Sequence, residues 1–327
     1  FRRRSGATGE DVSHRSDAQP IKVKMINSDQ RMIHLELFSG IGGFSKGLEA
    51  AGYAFDTVYY SEIDKHAIAN FKYNYPNATY IGSVTEIYGA DIERPNLITF
   101  GSPCQNFSPI GDGKGLMGRE SGLVSHAIEA VRRFRPDVFI WENVKGVLFA
   151  KHRSDFWEII KAFADIGGYR LEWQLFNTSW FLPQNRERIY LVGRLAERCA
   201  AGIFPLLPQG CFDNKGRNCP LHTRPLFGAV MRGYYKQPNT GNYLPCLLPG
   251  EEYGKKPTEN MYGRIRMLTE IECERLQGFP DDYTRYGIYG DEQKEIRKCH
   301  RYALLGNAVS VPVVAAITKR IKETTHL

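Results

Sequence analysis

The sequence predicts an α/β protein: a doubly wound, mostly parallel sheet with helices on both faces, accompanied by a second, smaller and irregular domain. From Met32 onward, short apolar runs alternate with amphipathic stretches of helical length. This alternation is typical of parallel strands joined by crossover helices. After Gly193 the chain instead becomes rich in Gly, Pro, Asn and Tyr, with little helical periodicity, which indicates a loop-rich domain.

Apolar runs predict the strands, and amphipathic stretches predict the helices. Strands are expected at 33–38, 57–60, 97–100, 138–141, 171–176 and 189–192. Helices are expected at 44–51, 65–73, 122–134, 156–166 and 269–276, with a final helix after Val311. Thr269 and Glu272 have the spacing of a capping box at the start of one of these helices, and Gly278 and Pro280 end it.

The composition divides the chain into four segments. Residues 1–30 are polar and without periodicity, so we expect a disordered tail. Residues 31–194 carry the alternating pattern and are predicted to form the catalytic and cofactor-binding domain. Residues 195–263 form the second domain, whose basic residues and tyrosines suit nucleic acid but also suit an ordinary insertion. Residues 264–327 return to the first domain.

The composition also argues against several classes of protein. Hydrophobic residues make up 42% of the chain and charged residues 24%, as in soluble globular proteins. The sequence has no apolar run of about 18 residues, so no membrane span is expected. Seven cysteines occur without a CxxC pair; we therefore expect no metal site, and free thiols fit a reducing cytoplasm. The net charge of +7 is compatible with a polyanionic partner.

A glycine-rich turn, residues 38–44 (FSGIGGF), follows the first predicted strand. Glycines at this point let a cofactor approach the backbone closely. Ser45 stands where the dinucleotide fingerprint has its third glycine, so a nicotinamide cofactor fits poorly. After the second strand, Glu62 can accept hydrogen bonds from ribose hydroxyls or act as a helix N-terminal acid. Together, the turn and the acid predict a nucleoside-bearing cofactor.

A Pro-Cys pair, Pro103-Cys104, follows the third predicted strand within residues 101–108 (GSPCQNFS). A thiol at a strand end can be held rigidly toward a pocket, where its thiolate is a good nucleophile for electron-poor carbon. A small buried cysteine beside a turn is the alternative. The pair alone does not decide between the two interpretations.

Two further strand ends carry charged side chains. Glu142 is expected to face the same crevice as Cys104, because ligands bind at the carboxyl ends of strands in such sheets. Enclosure there would raise its pKa. Arg186 and Arg188 lie two positions apart as the chain enters the next strand, so they share a face and are candidates for binding an anion or a base oxygen. A solvated acid and a surface ion pair with Glu187 are the alternatives.

Near the C terminus, residues 305–312 (LGNAVSVP) are predicted to form a turn that opens the final helix. Asn307 in this turn can reach a ligand or cap the turn itself. Residues 275–280 (RLQGFP) end the preceding helix.

Taken together and in this order, these motifs resemble those of the DNA (cytosine-5)-methyltransferase family of the prokaryotic or phage type. The resemblance extends from Met32 to the end of the chain, except for 195–263, which would be the target-recognition domain. It implies the fold of S-adenosylmethionine-dependent methyltransferases. The matching segments are 38–43 (FSGIGG), 101–105 (GSPCQ), 141–144 (WENV), 184–188 (QNRER), 275–280 (RLQGFP) and 306–309 (GNAV).

The resemblance implies transfer of a methyl group from S-adenosylmethionine to C5 of a flipped-out cytosine in a specific double-stranded DNA sequence. A covalent bond between Cys104 and C6 would be the intermediate. The residues implied to be catalytic are Cys104, Glu142, Arg186 and Arg188. Those implied to bind the cofactor are Phe38, Ser39, Gly40, Ile41, Gly43, Glu62, Ile63, Ser83, Pro103, Leu123 and Asn307. Ser83 stands where the family usually has an Asp that contacts adenine.

Contacts to DNA are expected from two parts of the chain. The segment 105–121 is rich in glycine, which suits a mobile lid over the target base. The candidate DNA-binding residues are Ser108, Lys114 and Arg119 in this segment and Arg217, Arg224, Arg232 and Lys236 in the second domain. We expect a cytoplasmic monomer in a restriction-modification or phage DNA-protection system, with a cognate restriction endonuclease as a candidate partner.

Three alternatives remain open. A tRNA cytosine-5 methyltransferase shares these motifs, although residues 103–108 (PCQNFS) favour the DNA branch. A non-enzymatic DNA-binding relative would be expected to lack Cys104, Glu142 or Arg188, and the sequence retains all three. A nicotinamide-dependent oxidoreductase is disfavoured by Ser45.

Overall fold

We describe the fold from a computed structural model, which describes residues 31–103, 122–149, 152–207, 227–228, 243–245 and 265–325. The strands are β1 (Ile33–Leu37), β2 (Thr57–Ser61), β3 (Thr79–Tyr80), β4 (Leu97–Gly101), β5 (Val138–Val144), β6 (Tyr169–Asn177), β7 (Gln184–Asn185), β8 (Glu187–Leu195), β9 (Phe227–Gly228), β10 (Tyr243–Pro245), β11 (Ile265–Met267), β12 (Tyr286–Tyr289) and β13 (Glu292–Glu295). The helices are α1 (Gly43–Ala50), α2 (Lys65–Asn74), α3 (Val124–Phe134), α4 (Arg153–Ala164), α5 (Glu270–Gln277), α6 (Lys298–Asn307) and α7 (Val311–Thr324).

A seven-stranded sheet with the order β3-β2-β1-β4-β5-β8-β6 forms the centre of the fold. Strands β1 to β5 run parallel, whereas β8 is antiparallel to both β5 and β6. The predicted mostly parallel sheet is therefore confirmed. The strand order reverses between β1 and β4, and ligands bind outside the carboxyl ends of the strands at such a switch point.

Helices cover both faces of the sheet, as the doubly wound prediction requires. On one face, α3 and α4 bury Val131 and Phe163 in a cluster with Leu35 of β1. On the other face, α1 and α7 bury Leu48 and Ile317 in a cluster with strand residues. A third cluster joins Ile41 of the glycine-rich turn to apolar residues of α2, α5 and α6. Removal of these apolar surfaces from water is the main force that holds the layers together.

The strands and helices expected from the sequence are present, with ends that differ by a few residues, but the C-terminal region is more structured than expected. The segment 305–312 is not a turn throughout: Asn307 is the last residue of α6, and only 308–310 connect α6 to α7. Contacts remote in sequence fix α6, including an ion pair between Arg301 and Glu274 at 2.9 Å. Local periodicity carries no information about such contacts. The hairpin β12–β13 was likewise not predicted.

Within the described residues, one stretch, Lys298–Thr324, has the length and hydropathy of a membrane span. It consists of two helices, α6 and α7, and 61% of its apolar window is buried inside the protein. Its apolar side chains therefore pack in the core.

Candidate active site

The carboxyl ends of four neighbouring parallel strands bring most of the described site residues to one edge of the sheet. The ends of β1 and β2 pair at Leu37 and Ser61, so the glycine-rich turn lies beside Glu62. The ends of β4 and β5 pair at Gly101 and Glu142. This register places the described motifs at one edge of the sheet.

The glycine-rich turn has a conformation that requires glycine at some positions and tight packing at others. Gly40 has a φ of +53°, and a Cβ built there would meet no atom within 4 Å, so this side of the turn is open. A Cβ on Gly43 would lie only 2.7 Å from Cγ2 of Val309. Ile41 is 1% exposed and packs in the third cluster, which leaves its backbone as the part that can meet a ligand. Phe38 also has a positive φ, +52°.

Glu62 joins the end of β2 to this turn. Its carboxylate accepts hydrogen bonds from the amides of Gly40 at 2.8 Å, Ile63 at 2.8 Å and Asp64 at 3.0 Å. A carboxylate has about four acceptor positions, so one remains for a ligand hydroxyl. The neighbouring side chain of Ile63 is 74% exposed, and it offers an apolar surface to a flat ring.

Glu36 of β1 is a functional candidate that the sequence analysis missed. It is fully buried, and its carboxylate accepts hydrogen bonds from the amide of Phe44 at 3.3 Å and from the amide of Ser45 at 3.0 Å, as well as from the Ser45 hydroxyl. Burial raises the pKa of Glu36 to about 7. The N-terminal amides of α1, which bind phosphate in other proteins, are thus occupied by a side chain of the protein. A charged residue inside the apolar run of β1 was the signal that could have revealed it.

Three other cofactor-binding predictions lie on different elements. The Ser83 hydroxyl accepts a hydrogen bond from Thr85 N at 3.3 Å, and Ser83 caps a short 3-10 helix, Val84–Gly89. Leu123 directly precedes α3 and packs against the first cluster. Asn307 is exposed at the end of α6.

Glu142 is the central side chain at the carboxyl ends of β4 and β5. It is 8% exposed, and its Oε1 lies 3.0 Å from Nε of Arg188. Burial raises the pKa of Glu142, and the positive charges of Arg188 and Arg186 oppose this rise. A Cβ built on Gly101 would lie 3.0 Å from Oε2 of Glu142, so a glycine at this position gives the carboxylate its space.

Two residues of β5 fix the backbone that precedes Pro103. Nε1 of Trp141 donates to the Ser102 hydroxyl at 3.0 Å, and Nδ2 of Asn143 donates to the Ser102 carbonyl at 3.3 Å. Ser102 is buried, whereas Pro103 is exposed. The chain therefore leaves β4 from a rigid position. Sequence analysis did not assign this role to Trp141.

Arg186 lies just before β8 and Arg188 lies within it, and the partners of their guanidinium groups differ. Arg188 pairs with Glu142, as described above. Arg186 is 4% exposed and donates to the main-chain carbonyls of Gly306 and Ala308. Next to them, Lys145 and Glu187 form a partly exposed ion pair at 2.8 Å.

Several predicted residues lie outside the described part of the chain. They are the nucleophile candidate Cys104 and the DNA-binding candidates Ser108, Lys114, Arg119, Arg217, Arg224, Arg232 and Lys236. Among the residues that are described, no group of His, Cys, Asp and Glu has the arrangement of a metal site.

The seven-stranded sheet and its helices have the fold of the S-adenosylmethionine-dependent methyltransferases. The crystal structure of the S. pombe Dnmt2 methyltransferase matches with a TM-score of 0.61 at 20% identity, over 90% of this chain and 99% of that chain. A putative DNA modification methyltransferase encoded within an E. coli prophage matches with a TM-score of 0.55 at 18% identity, over 90% and 99% of the two chains. At these identities the comparison shows the fold alone.

The sequence then shows the family. The model of the C-5 cytosine-specific DNA methylases matches residues 32–215 and 230–323. The Type II methyltransferase M.Bsp6I of Bacillus sp. (strain RFL6) is 30% identical over 87% of this chain and 96% of that protein. M.NlaX of Neisseria lactamica, also a Type II methyltransferase, is 30% identical over 88% and 95%. The chain belongs to the C-5 cytosine-specific DNA methylase family and is an enzyme, a DNA (cytosine-5-)-methyltransferase.

Proposed function

We propose that this enzyme transfers a methyl group from S-adenosylmethionine to C5 of a cytosine that is flipped out of a specific double-stranded DNA sequence. The observation that carries the proposal is the buried Glu142–Arg188 pair at 3.0 Å. It lies at the strand end next to the Gly101-Ser102-Pro103 segment, on the same sheet edge as the glycine-rich turn. A base and a cofactor bound at this edge would be neighbours.

The residues at the glycine-rich turn fit S-adenosylmethionine. Gly40 leaves open space above the turn, and Glu36 already occupies the helix amides that a phosphate would need. A nucleoside cofactor without phosphates meets both conditions. When bound, it supplies a methyl group on a positively charged sulfur. The residues we propose to hold it are Phe38, Ser39, Gly40, Ile41, Gly43, Glu62, Ile63, Ser83, Pro103, Leu123 and Asn307.

The reaction needs a nucleophile because C5 of cytosine is itself a poor one. The Cys104 thiolate adds to C6, and C5 then has the character of an enamine carbon. C5 takes the methyl group, loses its proton to a base or to water, and the thiolate leaves as the C5–C6 double bond returns. Each bond that forms at C6 is broken again, so the enzyme is regenerated.

Glu142 and Arg188 would hold the cytosine during this addition. Protonated Glu142 donates to N3 of cytosine, where negative charge develops, and Arg188 holds the O2 oxygen. Burial of Glu142 raises the pKa of its carboxyl group and so favours the protonated form. The positive charges of Arg186 and Arg188 oppose this rise in the pKa of Glu142, so Glu142 can still release its proton.

Access to this pocket requires that the cytosine leave the duplex, since C6 is covered while the base is stacked. We propose that the glycine-rich segment 105–121 closes over the extruded base and that residues 195–263 read the DNA sequence. Both proposals rest on the sequence alone.

The decisive experiment measures transfer of a labelled methyl group to DNA by the wild type and by Cys104→Ala. The wild type is expected to label DNA and not tRNA, and the variant is expected to lose transfer while retaining cofactor affinity. Full activity of Cys104→Ala would refute the covalent mechanism, and preferential labelling of tRNA would favour the tRNA methyltransferase alternative. Bisulfite sequencing of host DNA that expresses the chain would then identify the target sequence.

The biological setting is proposed from the relatives, several of which are Type II methyltransferases of bacteria. We propose that the enzyme protects DNA within a restriction-modification or phage system, in the cytoplasm of a bacterial or phage-infected cell. It is proposed to act as a monomer, and a cognate restriction endonuclease is its expected partner.

A further inference from the structure

Arg186 holds the connection between α6 and α7 from the strand side. Its Nη2 donates to the Ala308 carbonyl at 2.8 Å, and both terminal nitrogens lie 3.3 Å from the Gly306 carbonyl. The backbone of Arg186 is fixed in turn, because its amide donates to Asn177 and its carbonyl accepts from Thr178. Arg186 therefore has little freedom to move toward a ligand.

The two carbonyls that Arg186 binds flank Asn307 in the sequence. Asn307 itself is exposed at the end of α6. Nε2 of Gln277 binds the Leu305 carbonyl at 2.9 Å, so side chains of other elements hold three carbonyls around the end of this helix, those of Leu305, Gly306 and Ala308. The direction in which Asn307 leaves the helix is thereby determined.

Val309, the next residue but one, lies between the two halves of the site. Its Cγ2 is 2.7 Å from the position of a Cβ on Gly43, in the glycine-rich turn. Its Cγ1 is 3.9 Å from the position of a Cβ on Gly101, which faces Glu142. Val309 is 7% exposed. A displacement of this side chain would reach the cofactor turn and the base pocket together.

We infer that Arg186 is a positioning residue that locks residues 306–309 between the cofactor turn and the base pocket, and so couples the placement of the two substrates. This inference rests on the proposed function and adds to it. Arg186 acts through Asn307 and Val309, whereas Arg188 contacts the proposed base-binding carboxylate directly. The planar guanidinium suits this role because one group can bind two carbonyls, which an ammonium group does with less geometric definition.

The test compares Arg186→Lys, just before β8, with a matched variant within β8, Arg194→Lys. Arg194 is fully buried and binds the Thr324 carbonyl at the end of α7 at 3.0 Å, together with Glu172. It therefore has the same kind of role at the opposite end of β8. The readouts are the dissociation constant of S-adenosylhomocysteine by calorimetry, kcat in single turnovers, and Tm of the full chain.

We expect Arg186→Lys to weaken S-adenosylhomocysteine binding and to lower kcat, each by about tenfold, since small displacements of positioning groups are costly in both. Arg194→Lys should lower Tm while leaving both constants within about twofold. The inference is overturned if Arg186→Lys changes Tm alone, or if the two variants change all three readouts alike. Failure of the wild type to bind S-adenosylhomocysteine would instead refute the proposed function.

A second pair of variants tests the same inference without touching Arg186. Val309→Ala removes the side chain that lies between Gly43 and Gly101, and Val313→Ala removes another buried valine, on α7. Only Val309→Ala should weaken S-adenosylhomocysteine binding and lower kcat together; equal effects of the two variants on these constants would overturn the inference.

The pH profile of kcat adds a readout that a purely structural role would not move. Arg186→Gln removes a positive charge that lowers the pKa of Glu142, so the limb of the profile due to Glu142 should move to higher pH. Arg186→Lys keeps the charge and should leave that limb in place. An unmoved limb in Arg186→Gln would show that the charge of Arg186 does not act on Glu142.

Discussion

The two ends of strand β5 each carry a buried acid, and the acids have different surroundings. At the amino end, Asp137 is 1% exposed and accepts from Arg94 at 2.9 Å and from Asn96 at 3.2 Å. Arg198 lies 3.4 Å from Oδ2, the oxygen that Asn96 also binds. Three donors thus surround this carboxylate, and both of its oxygens are used to hold the scaffold together.

At the carboxyl end, Glu142 pairs with Arg188 through Oε1, while Oε2 lies beside the backbone of Gly101. Burial raises the pKa of this acid, and the glycine leaves space next to its second oxygen. A buried acid surrounded by donors, such as Asp137, therefore has a structural role. A buried acid with free space beside one oxygen and a shifted pKa, such as Glu142, can take part in catalysis. Substitutions at the two ends should therefore affect different measurements.

The largest expected effect separates the two acids. Glu142→Gln should lower kcat by about 100-fold or more, because an amide cannot hold and release the proton at N3 of cytosine. The measurement is the single-turnover rate of methyl transfer to DNA. Its control is Asp137→Asn, which should cost about 1–3 kcal/mol of unfolding free energy because buried donors lose their partner, while kcat stays within about twofold. Loss of activity in Asp137→Asn, or normal turnover in Glu142→Gln, would contradict the assignment of a structural role to Asp137 and a catalytic role to Glu142.

The next effect concerns Glu36, the second buried acid near the site. Its pKa in the folded protein is about 7, above the ordinary glutamate value of 4.5, so the folded state binds an extra proton between these pH values. The free energy of unfolding should therefore fall by roughly 3 kcal/mol at most as the pH rises from about 4.5 to 7. In Glu36→Gln this part of the pH dependence should be absent, as measured by urea unfolding at each pH.

The variant Ser45→Ala tests the assignment of this pH dependence to Glu36. The Ser45 hydroxyl donates to Glu36 and lowers its pKa, so its removal should extend the fall in stability to higher pH. A wild-type stability that is flat between pH 4.5 and 7 would contradict the assignment to Glu36.

A smaller effect is expected at Gly101. A methyl group there would lie 3.0 Å from Oε2 of Glu142, so the carboxylate must move by a few tenths of an ångström, and we expect kcat to fall by about tenfold in Gly101→Ala. Gly89→Ala is the control, because a Cβ at Gly89 would meet no atom within 4 Å. Equal rates for the two variants would show that the space beside Glu142 is not needed.

The smallest effect is expected at Lys145, which lies just beyond β5. Its ion pair with Glu187 is 2.8 Å long, and the two side chains are 43% and 37% exposed. Lys145→Ala should change the unfolding free energy by no more than about 0.5 kcal/mol. A larger loss in thermal or urea unfolding would indicate that closeness to the site strengthens even an exposed pair.

Sequence reasoning found the parts of the site that follow a strand directly. The glycine-rich turn, Glu62 and Glu142 were predicted because each comes after a short apolar run, and the register of parallel strands then places them at one edge. The full length of β8 and its direction opposite to the rest of the sheet were not predicted, because apolar periodicity does not encode strand direction.

The remaining parts depend on contacts between distant positions. Arg186 binds Ala308 across 122 positions of sequence, and Trp141 binds Ser102 across 39. No local pattern distinguishes such an arginine from one that binds a ligand, so the sequence alone did not separate the contacts of Arg186 from those of Arg188. Glu36 stands out in the sequence as a charge inside the apolar run of β1, but its partners, Phe44 and Ser45, become evident only once α1 packs against β1.

The carboxylate of Glu36 at the start of α1 has a consequence for how this fold can change its cofactor. Exchange of Ser45 for glycine would give the glycine spacing of the dinucleotide fingerprint, yet the Glu36 carboxyl group would still occupy the amides that a pyrophosphate needs. Loss of Glu36 alone would leave buried amides of Phe44 and Ser45 without an acceptor, at a cost of about 1–3 kcal/mol each. Positions 36 and 45 must therefore change together. A change from S-adenosylmethionine to a dinucleotide cofactor by single substitutions would pass through less stable proteins.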